Sequence, residues 1–279
     1  MYLDSHVHFW RPARGDYGWL KPDNSNLYRD FTPEQLLPHL TAGAVRGCIA
    51  VQAAPTDAET DELLSLADDH PWIVGVVGSL DPFAAEAAYA ARYERLRERR
   101  RFSGVRLGGE QLERIARCGG EAVRRLRRWA EDRFAVDLLV RAHQLEHVLA
   151  VMRQAPELHA AVNHLGGPPY GDEQGRLSWE RRMSALALYP NVMVKISGML
   201  TSAGNRPELL RPYAAHLLEA YGPDRLMFGS DWPVATQNGG YRDVLMLFEQ
   251  VLPAGLTERE RSAVRFDSAR RFYRISEAR

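Results

Sequence analysis

Short, mostly apolar runs recur along the chain, most with Gly, Pro or Asn at or near their bounds, and longer stretches with apolar residues at helical spacing lie between them. Runs of this kind suit parallel strands covered on both faces, and the helical stretches supply the cover. The pattern predicts strands over 2–10, 47–51, 72–78, 102–107, 135–140, 159–164, 191–197 and 226–229. A helix opens at Thr32, with Pro33 at its first position and Gln35 closing a capping box, and ends at Gly43. Further helices are predicted over 56–70, 84–100, 121–133, 144–154, 177–189, 207–221, 241–251 and 257–273, the last opening with a capping box at Thr257 and Glu260.

A helix falls between each consecutive pair of strands, so the chain reads as eight βα units. Its 279 residues suit one (β/α)8 barrel, which typically takes roughly 250. A doubly wound open sheet is the competing architecture, but no Gly-rich phosphate loop follows the first strand. No linker or shift in composition divides the chain, and a single domain over 1–279 is expected.

Composition narrows the function. Hydrophobic residues make up 45%, enough for a large core, and the formal net charge is zero. Neither nucleic acid nor a membrane surface is an expected partner. Cys48 and Cys118 have no metal spacing and suit free thiols in a reducing cytoplasm. No run approaches the apolar length of a transmembrane helix, and the first residues read as a strand, so a signal peptide is not expected. The positive charge is nearly all Arg, with lysine only at Lys21 and Lys195, so a lysine inside an apolar strand stands out.

Chemistry is expected where the strands end at their carboxyl side. His6 and His8 stand two apart on the first strand and therefore share a face. Gln52 ends the second strand, Arg106 lies on the fourth, Arg141 and His143 follow the fifth, and His164 closes the sixth. Lys195 and Ser197 share a face of the seventh, and Asp231 follows the eighth. Singly each has a structural explanation: His164 as a satisfied core histidine, Asp231 as a cap, Lys195 as the buried partner of a strand carboxylate. Together they bring three histidines and an aspartate to one point. The loop over 11–30 carries Tyr17, Trp19 and Tyr28, which either pin it to the barrel or meet a ligand.

The stretches Leu3-Asp4-Ser5-His6-Val7-His8-Phe9-Trp10, Gly15-Asp16-Tyr17-Gly18-Trp19-Leu20, Asn163-His164-Leu165-Gly166, Val194-Lys195-Ile196-Ser197-Gly198 and Phe228-Gly229-Ser230-Asp231-Trp232-Pro233 resemble the amidohydrolase superfamily, in the branch that holds sugar lactonases of the L-fuconolactonase and L-rhamnonolactonase type. The resemblance implies a barrel enzyme that hydrolyses a small-molecule lactone, a carboxylic ester. Two-metal members of the superfamily carry a lysine on strand four and a histidine on strand five. Arg106-Leu107 and Val140-Arg141 stand there instead, so a binuclear centre is not expected.

For a lactone, Asp231 is the candidate general base, returning its proton to the leaving alkoxide, with His6, His8 and His164 donating to the carbonyl oxygen, a route that needs no metal and that the resemblance permits. Alternatively His6, His8 and Asp231 hold one divalent ion such as Zn²⁺, with or without its being required. Trp10, Trp19 and Trp232 are expected to face a sugar ring, and Gln52, Arg106, His143 and Lys195 to bond its hydroxyls. Three other readings stay open: a carboxylate-bearing lactone from aromatic degradation met by Arg106 and Arg141, a metal-dependent decarboxylase, and a barrel with no catalytic role.

Overall fold

The computed structural model describes residues 1–275. Eight parallel strands pair in sequence order: β1 (Tyr2–Val7), β2 (Val45–Val51), β3 (Ile73–Gly78), β4 (Phe102–Gly108), β5 (Ala135–Leu139), β6 (Ala160–Val162), β7 (Val192–Ile196) and β8 (Leu226–Phe228). Helices cover the outside, and the sheet curls back on itself as a (β/α)8 barrel, as the alternating pattern predicts. Closure falls at the carboxyl ends. There Val7 bridges Trp232, the His8 N–H donates to the Trp232 carbonyl at 2.7 Å, and the Asp231 N–H donates to the His6 carbonyl at 2.9 Å. The backbone seam that shuts the barrel thus runs through four of the predicted site residues, His6, His8, Asp231 and Trp232.

Alternation along each strand sorts two cores. Cys48, Ala50, Val136, Val162 and Val194 pack outward against helices. Leu3, Ile49, Val51, Val77, Ala135, Ala161, Met193 and Met227 pack together inside, where Ala269 and Tyr273 of the last helical segment join them. Residues two positions further along share the inner face, which directs Asp137, Asn163 and Lys195 into the barrel above this apolar layer. β1 departs from simple alternation. Its register against β2 shifts twice, at Tyr2↔Val45, Asp4↔Cys48 and Val7↔Ala50, so Leu3 and His6 both face inward although they are three residues apart. Asp4 holds this irregular stretch, accepting from the backbone N–H groups of His6 (3.1 Å) and Ser230 (2.8 Å) and from the Tyr241 hydroxyl (2.7 Å).

The helices match the periodicity at Pro207–Tyr221 and Tyr241–Val251, and the predicted capping box at Thr257 and Glu260 forms. Three differences have local causes. Gly109–Cys118 is a helix that the flanking glycine pairs disguised as loop. Glu173–Ala187 starts earlier than its apolar stripe because Asp172 caps it, accepting from the Gly175 N–H at 3.0 Å. The last helix is α, then π, then α, over Glu258–Ser262, Ala263–Asp267 and Ser268–Phe272. No helix among the described residues is long and apolar enough to cross a membrane.

Candidate active site

Four side chains meet where the barrel closes. Asp231 Oδ1 lies 3.5 Å from His8 Nε2 and 3.8 Å from both His6 Nε2 and His164 Nε2. The two rings of the first strand touch, Nε2 to Nε2, at 3.2 Å. His6, His8 and Asp231 are all at most 4% exposed, while the His164 side chain keeps 22% and marks the open side of the cluster.

Local backbone explains how they arrive there. β1 ends at Val7, not at Trp10, because His8 leaves the β2 ladder to pair with Trp232. β6 ends at Val162, and His164 opens a short 3-10 turn at φ +53°; Asp231 stands at φ +60°. Left-handed backbone costs a non-glycine residue about 1–3 kcal/mol and persists only where its surroundings over-determine it. Here the surroundings do: the Asp231 N–H is held by the His6 carbonyl, its carbonyl accepts from the Ala235 N–H at 3.0 Å, and the His164 N–H donates to Ser197 Oγ at 3.3 Å. Ser197 also holds the His164 ring through Nδ1 at 2.9 Å.

Electrostatics divide the cluster into neutral rings and an anion. Burial pushes His6 and His8 below the ordinary imidazole value, with the Lys195 charge adding to the fall at His6. Burial takes His164 down to about 4. Burial alone would raise Asp231, but His164, His8 and Arg106 outweigh it and hold the carboxyl below its usual range. Near neutral pH the site therefore presents a carboxylate to three uncharged imidazoles. His8 Nδ1 sits 2.6 Å from the Val51 carbonyl, which can only accept, so the His8 proton is on Nδ1 and Nε2 offers a lone pair. This corrects one expectation: as a neutral ring His8 does not donate to a carbonyl oxygen. Its Nε2 and Asp231 Oδ1 form a pair of acceptors instead.

The other predicted residues separate. Arg106 stands over the mouth, Nη1 donating to the Gln52 carbonyl at 2.6 Å, and Gln52 Nε2 answers to the Arg106 carbonyl at 3.3 Å. Burial lowers the Arg106 pKa, and among the described residues no carboxylate pairs with it. Gln52 Oε1 and both amide atoms of Asn163 are buried with no protein partner among the described residues. Lys195 does not reach the mouth. It is fully enclosed beneath His6 and paired with Asp137, because its strand position faces the polar layer inside the barrel. Trp10 and Trp232 are buried too. Trp10 Nε1 donates to the Leu27 and Arg29 carbonyls at 3.1 Å and so pins the loop over 11–30 to the barrel, while Trp232 packs edge-on against Phe9 and Phe31 on either side of that loop. Trp19 is 45% exposed and tied by Nε1 to the Ala53 carbonyl at 2.8 Å. His143 is exposed, away from the cluster. It lines an open groove of about 1030 Å³ at the ends of β3 to β5 with Arg141, Asp81, Phe83 and Arg114. Thr201, whose hydroxyl reaches Asp231 Oδ2 at 3.3 Å, and Arg114, stacked 3.7 Å over the Phe83 ring, carried no signal in the sequence.

His6, His8 and Asp231 each offer one donor atom within 4.8 Å of the others, a mononuclear metal set. His8 Nε2 and the Asp231 carboxylate fit an ion as they stand, and His6 Nε2 completes the set when its ring proton sits on Nδ1.

A β1 His-x-His, a histidine after β6 and an aspartate after β8 in a (β/α)8 barrel define a hydrolase-type barrel site, and the amidohydrolase family model matches residues 3–275: the chain belongs to that family. Two similar curated relatives are both named L-fucono-1,5-lactonase. That of Burkholderia ambifaria is 33% identical over 98% of this chain and 95% of its own, and that of Burkholderia multivorans 34% over 99% and 96%. A crystal structure of an amidohydrolase from Burkholderia multivorans with bound Zn superposes with a TM-score of 0.88 at 33% identity, covering 99% of this chain and 100% of that one.

Proposed function

We propose that the protein hydrolyses the ester of a sugar lactone, of L-fucono- or L-rhamnonolactone type, to the open aldonic acid. The observation that carries this is the ionised Asp231 carboxylate set among three neutral imidazoles at the mouth of the barrel. The names of the two Burkholderia relatives support the substrate class.

Lactone opening needs an activated water, a place for charge on the carbonyl oxygen and a proton for the leaving alkoxide. Asp231 Oδ1 and His8 Nε2 bracket a position where a water can donate both its protons, and Asp231 takes one as the oxygen attacks. The His164 ring and the Arg106 guanidinium, which no carboxylate pairs, receive the developing oxyanion. Asp231, now protonated, returns the proton to the alkoxide. When bound to His6, His8 and Asp231, a divalent ion supplies Lewis acidity at the same point. The orphaned Gln52 Oε1 and Asn163 amide offer the hydrogen-bond partners that sugar hydroxyls need, and buried polar atoms of this kind call for such partners. Trp19, with its exposed ring, is the indole left to face the sugar.

The test is proton release, read with a pH indicator, from L-fuconolactone, L-rhamnonolactone and a dicarboxylate lactone. Turnover of a sugar lactone supports the proposal. Turnover of the dicarboxylate alone shifts the assignment to a carboxylate-bearing substrate held by Arg106 and Arg141. No turnover of any lactone overturns it and leaves metal-dependent decarboxylation as the next assay.

A further inference from the structure

The end of the barrel remote from the catalytic cluster concentrates positive charge that lactone hydrolysis does not use. The chain as a whole is formally neutral. Yet Arg97, Arg99, Arg100, Arg101, Arg133 and Arg274 all line one cavity of about 540 Å³ where β3, β4 and β5 begin. They come from three separate segments. The first four lie at and after the end of the helix over Glu86–Arg97, Arg133 stands just before β5, and Arg274 follows the last helix.

Two of the six have carboxylate partners. Arg97 reaches Glu94 at 3.5 Å and Asp132 at 4.0 Å, and Arg99 reaches Asp68 at 2.7 Å. Asp132, on the cavity wall, is also held by the Tyr93 hydroxyl. Among the described residues no carboxylate pairs with Arg100, Arg101, Arg133 or Arg274. Arg101 is the most enclosed of these four. Its Nη atoms reach the Val74 and Pro71 carbonyls only at 3.4 and 3.5 Å, and its Nε is buried with no partner among the described residues. A buried donor of this kind calls for an acceptor. Neighbouring groups feel the field. Burial lowers the Arg101 pKa and the Arg100 charge adds to the fall; burial lowers His159, and the Arg133 and Arg274 charges add to that.

We infer that this cavity binds an anion carrying two or more linked phosphate groups. Guanidinium forks match phosphate oxygens two at a time, and four of them without carboxylates supply the charge that a phosphate chain needs. A single phosphate would leave most of the cavity empty. The rings beneath, Phe102, Phe134 and Tyr273, are buried and offer almost no face for stacking. Recognition therefore falls on the phosphate chain and not on the group it is attached to. The bound anion ties the starts of β3 to β5 to the C-terminal segment, at the end of the barrel where no chemistry is done. The inference does not depend on which lactone is turned over.

The test is calorimetric titration of the whole protein with tripolyphosphate in about 0.1 M salt, with ATP, orthophosphate and citrate as separate arms. Tripolyphosphate and ATP are expected to bind one to one with similar affinity and to raise the melting temperature as their concentration rises. Orthophosphate should bind at least about tenfold more weakly. The variant Arg133→Asn/Arg274→Asn removes two exposed arginines at left-handed positions that Asn tolerates, and thermal melts confirm that it folds. It should lose about 10- to 100-fold in affinity for tripolyphosphate. Arg117→Gln/Arg211→Gln removes the same charge from exposed helix positions outside the cavity and should leave the affinity unaltered. No binding of tripolyphosphate, citrate binding as tightly, ATP binding more than about tenfold tighter, or a folded Arg133→Asn/Arg274→Asn variant with wild-type affinity overturns the inference.

Discussion

Replacing Asp231 by Asn tests the reaction at its centre. The substitution keeps the size of the side chain, and Asn tolerates the left-handed backbone at this position at least as well as Asp. The barrel seam runs through the backbone of 231 and is untouched. What changes is chemistry. A carboxylate oxygen 3.5 Å from His8 Nε2 and 3.8 Å from two further imidazoles becomes half of an amide, which cannot take a proton from water. A positioned general base is worth about 10²–10⁴-fold, or about 3–5.5 kcal/mol on the barrier. The expected outcome is a fall in kcat of that size with KM little altered and no loss of melting temperature. The assay is indicator-monitored turnover of the active lactone, with wild type and variant both stripped of metal so that base and ligand roles do not mix. A loss of under about tenfold in the folded variant refutes Asp231 as the base and moves water activation to another group.

Arg106→Met removes one oxyanion donor and should lower kcat/KM by about 10²–10³-fold with kcat carrying most of the loss; an effect confined to KM would make Arg106 a binding residue only. Dialysis against a chelator is expected to leave most of the activity, and complete loss restored by Zn²⁺ would assign the ion an essential part. Burial holds His164 neutral down to about 4 against 6.5 in the unfolded chain, so its contribution to stability is complete above pH 6.5 and lost as pH falls towards 4, about 3 kcal/mol in all. Glu59, which burial pushes up to about 7, acts in the opposite sense over much of that window, so the measurement is a difference. Urea denaturation at pH 7.5 and 4.5 should show His164→Gln losing less stability on acidification than the wild type, and equal losses would refute the buried neutral assignment. Ser197→Ala frees the His164 ring from its 2.9 Å contact and should reduce kcat more than melting temperature.

Much of the molecule is written in short-range pattern. Eight mostly apolar runs, most with Gly, Pro or Asn at or near their bounds, determine eight strands, because a strand covered on both faces is predominantly apolar and must then turn. Their order follows, since helical crossovers leave consecutive parallel strands adjacent. The positions of His6, His8, His164 and Asp231 relative to those runs suffice to place them at one end of the barrel. Alternation within a strand also directs Lys195 inward. It does not say how deep. Depth is set by the stagger between strands, and only the assembled barrel shows Lys195 beneath His6 and bonded to Asp137 of β5 instead of reaching the mouth.

The tertiary structure alone decided the rest, and in each case the deciding contact is distant in sequence. The double register shift in β1 turns both Leu3 and His6 inward, which a strict period of two forbids. The left-handed turns that aim His164 and Asp231 depend on Ser197 and on the His6 carbonyl, each on another strand. Trp10 and Trp232 carry the same aromatic face as Trp19, yet Trp10 is buried under the Leu27 and Arg29 carbonyls and Trp232 against Phe9 and Phe31, while Trp19 stays exposed. Tyr273 reads in sequence as the end of a helix, and its bond to Asp137 exists because that helix closes the barrel from below. Sequence determines which residues share a face of one element. How each ring is held is decided by partners on other elements, the Val51 carbonyl of β2 for His8 and Ser197 after β7 for His164, brought together only when the barrel closes.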